Sequence, residues 1–278
     1  MSMVYLLVSA IILIAIVIVF LIVKFQLKQM KNIFLTSLFV LIIVILLDSN
    51  WSEMHTVEGQ EALKVPQSEY SFIKIKDQVK IDTPVVSQLP ELPRGCEVTS
   101  LAMLLHSAGV QADKMELAEK VKKNPAKRET KNGDIYYGDP ENGFVGDMYT
   151  FEKPGLGVYH EPIMELAEVY LPGQIVNLTG QTFEELKIPL SAGRPVWVII
   201  NTEYRKLEDS YFQTWHTESG KIRITRKEHS VLITGYDQHF VYFNDPLTGK
   251  KNRKAAIKDF EQSWLQMGSQ AITYSGNE

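Results

Sequence analysis

The uncharged run Met3–Val23 constrains this chain more than any other stretch. It is almost wholly Val, Ile, Leu, Ala and Phe, and about 20 such residues are what an α-helix needs to cross a bilayer core. A cleaved signal would open with positive charge and close on small residues. This run does neither and passes straight into Lys24, so it reads as a permanent anchor. A second apolar run, Ile33–Leu47, is shorter. It spans with help from Lys31, Asn32 and Trp51 or from local thinning of the bilayer; the alternative is an interfacial or re-entrant helix. Lys24, Lys28 and Lys31 separate the two runs, whereas Asp48 and Glu53 follow the second. Cytoplasmic loops gather Lys and Arg, which puts the short loop inside and both ends outside. The expectation is a two-pass cell-membrane protein. Helices over about 3–23 and 32–47 form an anchor within 1–50, a linker covers 51–80, and an extracytoplasmic domain covers 81–278.

Bulk charge narrows the partners. The net charge is −4, and no basic cluster suggests a nucleic-acid surface. A single cysteine rules out an intramolecular disulfide and any zinc site built on several thiolates. There is no Gly-rich phosphate loop and no His-Glu-x-x-His pattern, so neither a cofactor nor a metal is expected. The oligomeric state stays open.

That one cysteine sits in Gln88-Leu-Pro-Glu-Leu-Pro-Arg-Gly-Cys96-Glu-Val-Thr-Ser-Leu-Ala-Met-Leu-Leu105. Pro93 and Gly95 mark a loop, and Val98, Leu101, Leu104 and Leu105 then repeat at the spacing of one helix face. Cys96 therefore falls in a first helical turn, where free N–H groups and the positive end of the dipole favour a thiolate. A lone thiol is a liability outside the cell, which points to retention for its chemistry. The competing reading is an inert buried cysteine.

After a left-handed cap at Gly109, the pattern predicts a second helix over Asp113–Lys123. Asn124–Tyr159 is different in kind, mixing six glycines with Tyr136, Tyr137, Phe144, Tyr149, Phe151 and Tyr159. Long connections of this sort are functional or disordered, and the aromatic content argues for one wall of a binding groove; the plainer alternative is a structural excursion. Helices follow at Pro162–Leu171 and Thr182–Leu190, the latter opened by a Thr182/Glu185 capping box. Strands are expected at Ile81–Val86, Pro195–Asn201 (buried), Lys221–Arg226 (an edge) and Gln270–Tyr274, with a helix at Ile257–Met267 before the last.

The most informative pairing is Val231–Tyr236 with Phe240–Asn244, two short strands joined by Asp237-Gln-His239. A hairpin symmetric about Asp237 sets His229 directly opposite Asp245. It places both on the face that carries Val231, Ile233, Val241 and Phe243. Opposed side chains lie about 5 Å apart at Cβ, so an imidazole–carboxylate pair is predicted at the rim of a core. A carboxylate on one ring nitrogen leaves the other free as a base. The other histidines are weaker partners for the thiol. His106 lies about 15 Å along the cysteine's own helix, His239 is at the wrong end of the hairpin, His55 is in the linker, and His160 and His216 have no assigned place.

Taken together, Gln88, Cys96, His229 and Asp245 resemble the papain-like cysteine peptidases, and within them the C39-like peptidase family. Pro-Glu-Leu-Pro-Arg-Gly-Cys-Glu, Glu-His-Ser-Val-Leu-Ile-Thr-Gly-Tyr-Asp and Phe-Asn-Asp-Pro look like that family's blocks over roughly Ile81–Tyr274. The resemblance implies an α+β fold in which a helix carrying the cysteine packs on an antiparallel sheet. It also implies roles: Cys96 as nucleophile, His229 as base, Asp245 as orienting group, and Gln88 beside the Cys96 N–H as oxyanion donor. The family's exporter-fused members cut leader peptides on the cytoplasmic side. This chain has no nucleotide-binding cassette and its domain is expected outside, so that substrate is not carried over. The expected function is a membrane-anchored thiol hydrolase acting on an extracytoplasmic peptide, protein or amide substrate. The alternatives are a non-catalytic module of the same fold that binds a peptide or partner, and an assembly factor whose spans do the recognising.

Overall fold

The computed structural model describes residues 74–276, together with Lys24. Both expected membrane helices and most of the expected linker lie outside the described residues. Among those described, no helix is long and apolar enough to cross a membrane.

In chain order the described elements are β1 (Val79–Lys80), α1 (Cys96–Ser107), α2 (Lys114–Lys120), β2 (Lys123–Asn124), β3 (Glu129–Lys131), β4 (Asp134–Tyr136), β5 (Phe144–Val145), α3 (His160–Tyr170), β6 (Ile175–Asn177), α4 (Phe183–Ser191), β7 (Val196–Asn201), β8 (Phe212–Thr217), β9 (Gly220–Thr225), β10 (Glu228–Tyr236), β11 (Phe240–Asp245), β12 (Lys250–Ala256), α5 (Ile257–Gln266) and β13 (Ala271–Tyr274). One antiparallel sheet runs β12-β11-β10-β7-β13-β6, with β1 on the far end of β10. A second sheet runs β3-β4-β8-β9 and leaves β9 at its edge.

The large sheet is covered on both faces, which explains why β7 is apolar at nearly every position. Trp197 and Ile199 face a core shared with Leu101, Leu104 and Leu232. Val196, Val198 and Ile200 face another shared with Val231, Phe243, Phe260 and Trp264. Helix α1 is buried all the way round from Cys96 to Leu105, as a central helix must be. The sequence showed one apolar face, but Ser100, Ala102 and Met103 are covered as well, because α2 and α3 pack behind the helix while β10 and β7 pack in front.

Local chemistry sets several boundaries. Asp113 caps α2 by accepting from the Met115 and Glu116 N–H groups, and α4 carries the Thr182/Glu185 capping box. The strand expected over Ile81–Val86 is absent. Ile81 N–H bonds Thr234 O, but Pro84 has no N–H to continue a ladder. The Asn244 side chain instead holds the Thr83 and Pro84 carbonyls. Asn124–Tyr159 is better ordered than its composition suggested. It contains β2–β5, a 3₁₀ turn and an isolated Gly146–Gly155 bridge.

The β10–β11 hairpin departs from the symmetric register. Asp237 N–H bonds Phe240 O, and the Asp237 carboxylate accepts from the His239 and Phe240 N–H groups. The loop is therefore two residues, not three. A one-residue change would send every side chain to the opposite face, but a bulge between Ile233 and Gly235 takes up the difference. Tyr236 pairs with Val241 beyond the bulge, and Ile233 pairs with Phe243 before it. The face assignment survives while the direct His229–Asp245 opposition does not. The bulge also brings β1 close: a Cβ on Gly235 would stand 2.1 Å from Val79 O. Gly235→Ala should therefore displace β1 and lower stability by about 1–3 kcal/mol, read as a lower urea midpoint.

Candidate functional site

Helix α1 begins at Cys96, with Gly95 as its N-cap and no side-chain cap. The thiol is 6% exposed and forms part of a cavity of about 400 Å³ whose lining includes Gln88, Phe151, Leu156, Glu228 and His229. The structure thus gathers Cys96, His229 and Gln88 around one space. Phe151 and Leu156 come from the Asn124–Tyr159 segment, which forms a wall of that space. Arg94 pins the wall by donating to the backbone carbonyls of Asp147, Thr150 and Lys153, and its guanidinium lies 4.7 Å from the Phe151 ring centre.

His229 and Asp245 meet as a diagonal pair. Imidazole Nε2 lies 2.9 Å from Asp245 Oδ1, and the two side chains are 2% and 0% exposed. Leu232 pairs with Asn244, so continuing that register sets Asp245 beside Val231, one same-face position from His229. Long side chains bridge such diagonals. Asp245 also accepts from the hydroxyls of Tyr204 (3.0 Å) and Thr248 (2.8 Å), the Leu247 N–H (3.0 Å) and the Arg253 guanidinium. Burial alone would raise this carboxyl's pKa. The His229, Thr248 and Arg253 contacts outweigh it and hold the pKa well below the ordinary carboxylate range. Among the described residues His229 makes no other side-chain hydrogen bond, which leaves Nδ1 free of protein partners.

The thiol's own surroundings differ from those expected at a helix start. Cys96 Sγ lies 3.3 Å from Glu97 Oε2. Burial, then the charges of Glu97 and Glu228, push the thiol pKa well above its ordinary value. The dipole favours a thiolate, but it is outweighed by the loss of water and by two acids. Burial also raises Glu97 to about 7, and burial with the Glu97 charge raises Glu228 well above the ordinary value. Cys96, Glu97 and Glu228 are close enough to share an ion. Glu97, however, already spends Oε1 on the Val158 N–H at 2.7 Å and Oε2 on the thiol, so the trio reads as a hydrogen-bonded thiol–acid pair with a second acid close by.

Gln88 is 2% exposed, and its Nε2 donates to Leu92 O (3.1 Å) and Pro93 O (3.0 Å). Both amide protons are thus engaged, and Oε1 is buried without a partner. The remaining described histidines do not line the cavity. His106 bonds Ala112 O, His160 lies against Gln270 and Glu141, His216 stacks on Tyr136, and His239 sits in the hairpin turn. Sequence reasoning missed Glu97, Glu228, Tyr204 and Arg253. The first two left a signal, since each adjoins a singled-out residue inside a segment that must be buried.

Comparison with known proteins agrees with this architecture. Residues 80–272 match the Peptidase_C39 like family. The uncharacterized protein YvpB of Bacillus subtilis (strain 168) is 47% identical over 183 residues, covering 66% of this chain and 70% of YvpB. A crystal structure from Bacillus anthracis, provisionally named a C39-like peptidase, superposes with a TM-score of 0.68 at 46% identity. It covers 73% of this chain and 100% of its own. With a family match across most of its length and a relative this similar, the chain belongs to the Peptidase_C39 like family.

Proposed function

We propose that the protein is a membrane-anchored cysteine peptidase, holding its domain outside the cell through two N-terminal spans and hydrolysing a peptide or related amide. The observation that carries this reading is the cavity bordered by both Cys96 and a histidine whose far nitrogen is bonded to a buried carboxylate. Asp245 accepts the Nε2 proton and so keeps His229 in the tautomer with an unprotonated Nδ1. His229 then takes the Cys96 proton through Nδ1, and the thiolate attacks the substrate carbonyl carbon. The imidazolium protonates the leaving amine, and water releases the acyl group. Free N–H groups at the start of α1 offer hydrogen bonds to the developing oxyanion. Gln88 joins them once it releases one proton from the loop carbonyl it now holds. The thiol must give up its bond to Glu97 for this transfer.

A non-catalytic binding module of the same fold is the second reading. It is favoured by the engaged Gln88 amide and by the resting thiol bond to Glu97. The two separate on one experiment, in which the full chain in lipid vesicles is incubated with a mixture of peptides and the products are followed by mass spectrometry. New termini should appear with the native protein and vanish with Cys96→Ala. Binding of peptides with no cleavage by either form would favour the second reading.

A further inference from the structure

The acid cluster beside the nucleophile is built too closely to be incidental to it. Glu97 is 0% exposed, and one atom each from Cys96, Glu97 and Glu228 lies within 4.8 Å of the other two. Room for the carboxyls comes from Gly157: a Cβ there would stand 2.2 Å from Glu97 Oε1 and 2.7 Å from Glu228 Oε2. A side chain at 157 would require one or both carboxyl groups to shift. Glu228 Oε1 is buried without a hydrogen-bond partner, so the pair lacks the donors that two carboxylates would need. Two like charges this near in a dry site do not both ionise, and one proton is retained.

The charges facing Glu97 can be named element by element. Its own helix presents the Cys96 sulfur and β10 presents Glu228. Among the described residues, Lys123 on β2 supplies an attractive charge, Arg94, Arg226 and His229 line the same cavity as Cys96 and Glu228, and both acids bear on Tyr159, ahead of α3. Asp139 and Glu141 also act on Tyr159. Burial lowers the Lys123 titration and outweighs the opposing pull of the Glu97 charge. Glu97 reaches the reacting atom directly, with Oε2 3.3 Å from the sulfur.

We propose that Glu97, backed by Glu228, is a positioning residue that exchanges hydrogen-bond direction with the Cys96 sulfur: ionised, it holds the thiol as its donor, and neutral, it donates to the thiolate. The inference rests on Cys96 being the nucleophile. In the holding state the arrangement is S–H···⁻O–Glu97 with neutral His229. Glu97 takes one proton from solvent, and the thiol proton passes to His229 Nδ1. The result is S⁻···H–O–Glu97 facing an imidazolium. One proton enters from solvent to form the Glu97 O–H bond, the Cys96 S–H bond breaks, and the proton it releases forms the His229 Nδ1–H bond. The reactive sulfur is therefore most abundant below the titration of Glu97 and declines above it, opposite to an ordinary thiol.

The test is the rate of Cys96 alkylation by iodoacetamide between pH 5 and 8.5 in the full chain, where Cys96 is the sole thiol. The rate should fall about tenfold from pH 6 to pH 8, as one carboxyl titrating near 7 requires. With Glu97→Gln, a permanent donor of nearly the same shape, the fall should disappear, and the rate at pH 8 should exceed that of the native chain. A native rate that climbs steadily with pH overturns the proposal, and this arm needs no variant to fold. So does a Glu97→Gln profile superimposable on the native one. Repeating the series in His229→Ala separates the two readings. If His229→Ala changes nothing, the nucleophile assignment itself fails. If it lowers the rate while Glu97→Gln leaves the profile intact, only the role of Glu97 fails.

Discussion

His229→Ala is expected to reduce hydrolysis by about 10²–10⁴-fold, the range that a positioned general base contributes. The loss should fall on the chemical step, because the imidazole accepts the thiol proton and later returns it to the leaving amine. The fold should survive. Asp245 keeps Tyr204, Thr248, the Leu247 N–H and Arg253 as partners, so no buried carboxylate is stranded. A far-UV spectrum and a urea midpoint close to native would show that activity, not structure, was removed. Retention of native turnover would remove His229 from the mechanism.

Asp245→Ala should act mainly on stability. It removes the acceptor shared by an imidazole, a guanidinium, two hydroxyls and a backbone N–H, and leaves Arg253 and His229 without their carboxylate. Breaking a buried ion pair from one side costs about 3–5 kcal/mol. Arg253 is 32% exposed and so recovers some hydration, which favours the low end, about 3 kcal/mol. The urea midpoint should drop with the slope unchanged. The same carboxylate predicts a pH dependence. Its folded pKa lies below the unfolded value of about 3.9, so its contribution is complete above that value and disappears as pH falls towards the folded one. The native protein should therefore lose stability on acidification below about pH 4 more steeply than Asp245→Ala. Asp245→Asn should cost less stability, since its Oδ1 still accepts the Nε2 proton and fixes the tautomer, but it should lose the acid dependence as fully as Asp245→Ala, because neither side chain titrates. Equal midpoints for Asp245→Ala and the native chain would mean that the network contributes nothing net.

The elements around the site differ in how legible they were. The start of α1 could be read because Pro93, Gly95 and the 98–101–104–105 spacing are local signals. The sidedness of His229 and Asp245 could be read because strand alternation depends only on parity. Their register could not. Asp237 closes a two-residue turn and a bulge restores the parity, and a bulge near Gly235 is stabilised by β1, a strand from more than 150 positions away in sequence. The extended segment after Ile81 was misread for a related reason: whether an apolar run joins a sheet depends on which edge is still open, and Pro84 cannot use one.

Residue order alone determined that a thiol begins a helix, that an imidazole and a carboxylate share a face, and that apolar runs precede the domain. These follow from period, capping and composition, which act over a few residues. Only the tertiary structure decided that the thiol is buried, that Glu97 and Glu228 lie beside it next to Gly157, and that the Gln88 amide is engaged by its own loop. Burial and charge coupling depend on what other segments bring to the same place. The same cysteine that local sequence marks as easily ionised has, in the folded domain, a thiol pKa pushed up by burial and by two neighbouring acids.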